Sequence, residues 1–143
     1  MNDSQSPAEI VQDLFHIHQD RISVYKSVLH HMRDMEADVK ALLERMIEES
    51  TKYAQQLASH IRRPSDIKGN IYKIWEGPKA PGDATDKKSI AKSCASDELA
   101  MINTYSIALS SIVSDKDIEK LLLLQQQDIH ELYNHILQFY NAQ

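Results

Sequence analysis

Residues 64–82 read PSDIKGNIYKIWEGPKAPG, and this stretch contains all three glycines and three of the four prolines of the chain. Glycine and proline are the residues that most strongly disfavour the interior of a helix. The remaining proline, Pro7, stands near the beginning of the sequence. Residues 8–63 and 83–143 therefore contain no helix breaker, so each half of the chain can be helical over its whole length.

Apolar residues recur at helical spacing in both halves, and no window shows the alternation that a half-buried strand requires. In the first half the periodic residues are Ile10, Leu14, Ile17, Ile22, Tyr25, Leu29, Met32, Val39, Leu42, Leu43, Met46, Tyr53, Leu57 and Ile61. In the second half they are Ile90, Cys94, Met101, Ile102, Tyr105, Leu109, Ile112, Ile118, Leu121, Leu122, Ile129, Leu132, Tyr133, Ile136 and Leu137. We therefore predict an all-helical protein.

Each half is too long to be a single helix of a compact protein. The 56 residues of 8–63 would form a rod of about 84 Å, whereas a compact chain of this size has a radius of gyration of about 15 Å. A long coiled coil needs an apolar seam. The seam that runs through Leu14 and Tyr25 would instead contain the polar residues His18, Arg21, Glu49, Gln56 and His60. Each half is therefore predicted to fold into an antiparallel helical hairpin.

The helix signals place four helices in one domain that spans residues 1–143. Ser6, followed by proline and by Glu9, has the pattern of a capped helix start, and Ser114 with Asp117 is expected to cap the fourth helix. The expected helices are about 7–33, 36–63, 87–113 and 116–141, with turns near Arg33–Asp38 and Val113–Asp117 and a crossover at about 64–86. A long connection between the second and third helices is typical of the ferritin-like four-helix bundle.

The crossover is not a plain linker, because its first part carries an apolar pattern. Ile67, Ile71, Ile74 and Trp75 have the spacing of one helical face. We expect a short helix or turn here that lays Trp75 against the bundle. The remainder, EGPKAPGDATDKK at 76–88, is rich in charge, glycine and proline and is expected to be mobile.

The two halves resemble each other. Shifting the chain by 80 residues against itself aligns identical residues at 10 of 63 positions, against about four expected from ordinary composition. Eight of these matches are apolar or aromatic, among them Tyr25 with Tyr105 and Tyr53 with Tyr133. A repeated hairpin explains the matches, and so do two unrelated amphipathic hairpins with the same spacing.

Composition and charge exclude several classes of function. The chain has 143 residues, 16 Lys and Arg against 21 Asp and Glu, and a net charge of −5. No basic run is longer than Arg62–Arg63 or Lys87–Lys88, so no nucleic-acid surface is expected. Apolar runs are too short for a membrane span, and the polar, acidic N-terminus does not resemble a signal peptide. With a single cysteine, Cys94, these features predict a cytoplasmic protein.

Four stretches resemble the bacterial family known as domain of unknown function 2383. They are DRISVYKSVL (20–29), VKALLERMIEESTKYAQQL (39–57), GNIYKIWEGPKA (69–80) and SCASDELAMINTYSIAL (93–109). The resemblance covers about residues 9–125, with Tyr25, Trp75, Glu98 and Tyr105 as the matching landmarks. It implies a ferritin-like four-helix bundle and carries no established activity.

A ferritin-like di-iron centre requires Glu-x-x-His motifs on two helices, and no such motif occurs in this chain. The repeat register pairs His18 with Glu98 and Ser50 with His130, and it places all four residues at one level of the bundle. His18, Glu98 and His130 could therefore form at most a site for one metal ion, such as iron or manganese. In the alternative, His18 and Glu98 bond to each other in the core, with neighbours satisfied by Tyr25, Tyr53, Tyr105 or Tyr133. Core packing is the commoner role for such a pair.

We therefore expect a non-catalytic structural or interaction protein with no cofactor beyond that candidate metal ion. The alternative is a degenerate single-metal or oxidoreductase relative of ferritin-like proteins. The leucine run at 121–124, together with Phe139 and Tyr140, exceeds what one helix seam needs. This excess predicts a homo-oligomer that forms through helix faces. Cys94 lies on the apolar stripe and is expected to be a small buried core residue.

Overall fold

The computed structural model describes residues 5–32, 34–75, 86–112 and 115–141. Its helices are α1 (Pro7–His31), α2 (Ala37–Ala58), α3 (Asn70–Ile74), α4 (Lys87–Ser111) and α5 (Lys116–Asn141). The described residues contain no strand, which confirms the all-helical prediction. Within these ranges, no helix has the length and apolar character needed to cross a membrane.

Side-chain caps are present at the starts of α1, α4 and α5, whereas α2 and α3 begin without one. The Ser6 hydroxyl accepts a hydrogen bond from the Glu9 amide, and the Glu9 carboxylate accepts one from the Ser6 amide, so the predicted capping box is confirmed. Asp86 caps α4 by accepting from the Ser89 amide. At α5 the Asp115 carboxylate accepts from the amide three residues later. The cap predicted at residue 114 lies outside the described residues.

The connection between α1 and α2 lies within the predicted range. Met32 ends α1 in an extended conformation, and Asp34 has a φ of 58°. Aspartate is one of the few residues that tolerate this left-handed conformation. The chain therefore reverses direction here without a glycine.

α2 ends at Ala58, so the prediction that it continues to residue 63 is wrong. The last turn tightens, because the His60 amide bonds to the Leu57 carbonyl and the Ile61 amide bonds to the Ala58 carbonyl. Pro64 then disfavours helical conformation in the residue before it. The helix therefore ends five residues before the predicted end at residue 63.

The crossover forms a short helix, α3, as predicted. Ile71 and Trp75 are 3% and 5% exposed and pack in the core. Ile67 and Ile74, which belong to the same sequence pattern, are 80% and 48% exposed. A helix as short as α3 can bury only a narrow face, so two of the four apolar residues in the predicted pattern remain exposed to solvent. The segment predicted to be mobile lies mostly outside the described residues.

Asp13 on α1 binds the crossover through hydrogen bonds to its backbone. Its side chain is buried and accepts hydrogen bonds from the Gly69 amide at 2.8 Å, the Tyr72 amide at 3.2 Å and the Gln5 amide group at 2.8 Å. A Cβ on Gly69 would lie 2.0 Å from Gln5 Nε2 and 2.9 Å from Asp13 Oδ2. A larger residue at this position would therefore displace the Gln5 side chain, which bonds to Asp13 and to the Ile71 amide.

Each half of the chain forms a helical hairpin, with α1 against α2 and α4 against α5. The hairpins meet through two apolar clusters. On α1 the first cluster ends at Ile17 and the second begins at Tyr25. On α2 and α4 the corresponding gaps lie between Met46 and Tyr53 and between Ala95 and Met101. A layer of buried polar residues fills these gaps.

Candidate functional site

The buried polar layer, which we name the polar core, joins the four long helices. It consists of His18 and Arg21 on α1, Glu49 and Ser50 on α2, Asp97, Glu98 and Tyr105 on α4, and Gln125 on α5. All eight residues are at most 9% exposed. Polar groups this deep depend on one another for hydrogen bonds, although Glu49, Asp97 and Glu98 each keep one oxygen without a partner among the described residues.

Arg21 is the centre of the polar core, and its side chain is fully buried. Its guanidinium donates from Nε to Asp97 at 3.2 Å and from Nη2 to Glu98 at 3.0 Å. Nη1 donates to the Ser50 hydroxyl at 2.9 Å and lies 3.7 Å from Glu49 Oε1. One planar cation therefore holds side chains from both hairpins in a fixed geometry.

A directed chain of hydrogen bonds continues from Ser50 to α5. Tyr105 uses its only hydroxyl proton on Gln125 Oε1, at 2.6 Å. The contact between Tyr105 and His18 Nε2, at 2.8 Å, must then use the imidazole proton. His18 Nδ1 is left as an acceptor for the Ser50 hydroxyl, at 3.1 Å. Gln125 Nε2 donates in turn to Gln56 on α2, at 2.9 Å. The network therefore fixes His18 as a neutral imidazole protonated on Nε2.

The electrostatics of the polar core agree with this proton placement. Burial, together with the neighbouring Arg21, lowers the pKa of His18 well below its usual range. Burial by itself would lower the pKa of Arg21, but Asp97 and Glu98 outweigh it and raise that pKa well above its ordinary value. Burial and the neighbouring Glu98 carboxylate raise the pKa of Glu49 well above its usual range. The polar core therefore favours the neutral form of Glu49.

The three residues that the sequence placed in a metal site have different surroundings in the structure. His18 is level with Ser50, as the repeat register predicts, but it bonds to Tyr105 and makes no hydrogen bond to Glu98. Glu98 pairs with the guanidinium of α1. His130 is exposed, because α5 turns its neighbour Ile129 toward the core. Among the described residues, no group of three or more His, Cys, Asp or Glu has a geometry that could hold a metal ion.

Asp13, His16 and Cys94 have structural roles. Asp13 and His16 have the spacing closest to a metal-binding pair, but both hold the crossover, since the His16 ring contacts the Ser65 carbonyl at 2.7 Å. Cys94 is fully buried, as predicted. Burial, with a contribution from Asp97, raises the pKa of its thiol to about 12. The thiol is therefore unreactive at neutral pH.

The sequence contained a signal for the residues that were missed. Arg21, Glu49 and Gln56 were recognised as polar residues on an apolar stripe, and they served only as an argument against a continuous coiled coil. Asp97 lies at the edge of the corresponding stripe on α4. Several long polar side chains at one level of a core indicate a buried network.

A surface cleft of about 280 Å³ between α2 and α5 reaches the edge of the polar core. It is lined by Arg45, Glu48, Glu49, Lys52, Tyr53, Asp128 and Glu131. Charges of both signs line the cleft, and Lys52 pairs with Asp128 across it at 3.6 Å. Glu49 is the member of the polar core that lies nearest to solvent.

Replacing Glu49 with glutamine should change how stability depends on pH. The pKa of Glu49 is higher in the folded chain than in the unfolded chain, where it is about 4.3. The stabilising contribution of this residue is therefore complete below a pH of about 4.3, and it is lost as the pH rises toward the folded-state pKa. His18 acts oppositely, because its lowered pKa costs stability as the pH falls below about 6.5. Glu49→Gln removes the pH dependence that comes from Glu49 and leaves the one that comes from His18.

Urea unfolding of the native and Glu49→Gln chains between acidic and mildly basic pH measures this change. We expect the stability of the variant, relative to the native chain, to rise with pH by up to about 1.4 kcal/mol per unit. Glu48→Gln, an exposed neighbour on α2, is the matched control and should show a constant difference. The same constant difference for Glu49→Gln would show that Glu49 is ionised throughout.

No protein-family model, no curated protein and no solved structure matches this chain.

Proposed function

We propose that the chain is a ferritin-like four-helix bundle of the domain of unknown function 2383 family, and that it works in the cytoplasm as a non-catalytic structural or interaction protein. The helix order, with two hairpins and a crossover that contains α3, supports this arrangement. In this account the interior of the bundle maintains the fold, and the outer helix faces bind partners.

The burial and pairing of Arg21 is the observation that carries this proposal. A catalytic or metal-binding group must touch its substrate or ion. His18, Arg21 and Glu98 are fully buried, and the guanidinium occupies the position between the carboxylates that a cation would need. The residues that could support chemistry are therefore bonded to one another.

The proposed binding face lies on α5, where the leucine run is only partly used by the core. Leu122 is fully buried and Leu121 packs against the first apolar cluster, whereas Leu123 and Leu124 are 44% and 52% exposed. Phe139 packs against the second cluster, so it does not add to this face. We propose that a second copy of the chain covers the two exposed leucines.

Light scattering at tens of micromolar protein tests the self-association. We expect the native chain to be a dimer and the Leu123→Gln/Leu124→Gln variant to be a monomer with an unchanged helical spectrum, because the substitution removes apolar surface from the interface. Ile67→Gln, which changes an exposed isoleucine of the crossover, is the control and should remain dimeric. A monomeric native chain, or a dimeric double variant, would overturn the proposed interface.

A further inference from the structure

A cavity of about 520 Å³ lies at the end of the molecule where α1 and α5 begin and α2 ends. Its lining combines apolar and cationic groups. Pro7, Ala8, Ile61 and Ile118 supply apolar walls, and Arg62 and Arg63 stand at its side. A concave site with an apolar wall and a few charged groups is the common form of a small-molecule site.

The charge of this cavity is opposite to that of the whole chain. Arg62 and Arg63 are exposed, and neither forms an ion pair with a carboxylate of the described residues. Asp115 is the one carboxylate among the described lining residues, and one of its oxygens is occupied by the Ile118 amide. Two guanidinium groups without a carboxylate partner in the described part of the chain therefore stand beside this cavity, although the net charge of the chain is −5.

The segment that carries the arginine pair is held at both ends. On its N-terminal side, hydrogen bonds from the His60 and Ile61 amides continue the last turn of α2. On its C-terminal side, the Ser65 amide donates to Gln12 on α1 at 2.7 Å. Ile61 itself packs against the first apolar cluster. The backbone of both arginines is therefore ordered before any ligand arrives, which lowers the entropy that binding costs.

Three helix ends meet at this cavity, and their dipoles have opposite signs. The starts of α1 and α5 present positive ends, and the end of α2 presents a negative one. Part of the negative end is screened, because the Gln56, Leu57 and Ala58 carbonyls accept hydrogen bonds from Ser59, His60 and Ile61. The two guanidinium groups, and not the helix ends, therefore supply the positive charge beside the cavity.

We infer that this cavity binds a small phosphate monoester, with the phosphate held by Arg62 and Arg63 and the organic group against Ile61 and Ile118. A guanidinium pair matches the planar, bidentate recognition of phosphate oxygens. The apolar wall favours a phosphate ester over inorganic phosphate, because only the ester has an organic group that can pack against the wall. This site lies apart from the α5 leucines, so it stands independently of the proposed self-association.

Isothermal titration with phenyl phosphate and with inorganic phosphate tests the inference. We expect saturable binding of phenyl phosphate, weaker binding of inorganic phosphate, and a loss of at least about tenfold in affinity for Arg62→Gln/Arg63→Gln. Lys26→Gln/Lys40→Gln removes the same number of charges from exposed positions on α1 and α2 and should bind as the native chain does. Thermal unfolding of each variant checks that the fold is retained.

Four results would overturn the inference. Phenyl phosphate could fail to bind the native chain saturably. The arginine variant could bind it as tightly as the native chain does, which would place the ligand elsewhere. The lysine control could lose as much affinity as the arginine variant, which would reduce the effect to general charge. Equal affinity for phenyl phosphate and inorganic phosphate would contradict the assigned role of the apolar wall.

Discussion

Arg21→Met is expected to destabilise the fold by about 3–5 kcal/mol, because it leaves buried carboxylates without their cation. Asp97 and Glu98 lose their guanidinium partner, and each already has one oxygen without a hydrogen-bond partner in the described residues. Methionine keeps the length of the side chain, so lost packing contributes little. Urea unfolding of the variant and the native chain measures the difference.

A compensated variant separates the charge effect from packing. Arg21→Met combined with Asp97→Asn and Glu98→Gln removes the charges together, and we expect it to recover most of the lost stability. Lys26→Met, an exposed lysine of the same helix, should change stability by less than about 0.5 kcal/mol. If Arg21→Met is also within that range, the ion pairs do not hold the hairpins together.

Asp13→Ala is expected to cost about 3 kcal/mol and to release the crossover from the molecule. The substitution removes the acceptor for the Gly69 and Tyr72 amides and for Gln5. Trp75 is the only tryptophan of the chain and packs in the core directly after α3. A red shift of its fluorescence, together with faster proteolysis between residues 64 and 75, reports the release.

Asp20→Asn is the control for this experiment. Asp20 also binds the crossover, but it does so through the hydroxyl of Tyr72 and leaves the backbone amides of α3 capped. We expect a smaller loss of stability and native tryptophan emission. Native emission in Asp13→Ala would show that apolar packing alone places the crossover.

Much of the helix architecture could be predicted because its signals are local. The capping box at Ser6 and the position of the first turn depend on neighbouring residues. The end of α2 could not be placed, because the apolar pattern continues to Ile61 while the backbone has already turned at Ala58. Which apolar residues of the crossover are buried depends on its docking to Asp13, which the local sequence does not encode.

The polar core was predicted less well, because it depends on how helices are rotated against each other. His18 and Ser50 were placed at one level, and they bond. A difference of one residue on α5, about 100° around the helix, exposes His130 and buries Ile129. The pairing of Arg21 with α4 joins residues from different hairpins, and no spacing along one helix reveals such a contact.

Metal analysis of untagged protein tests the central claim that Arg21, and not a metal ion, satisfies the buried carboxylates. The native chain and Glu98→Ala would each be loaded with iron, manganese or zinc, desalted and examined by elemental analysis. The account predicts far less than one equivalent of metal in both proteins. Near-stoichiometric metal in the native chain that is lost in Glu98→Ala would contradict it and would place a cation in the polar core.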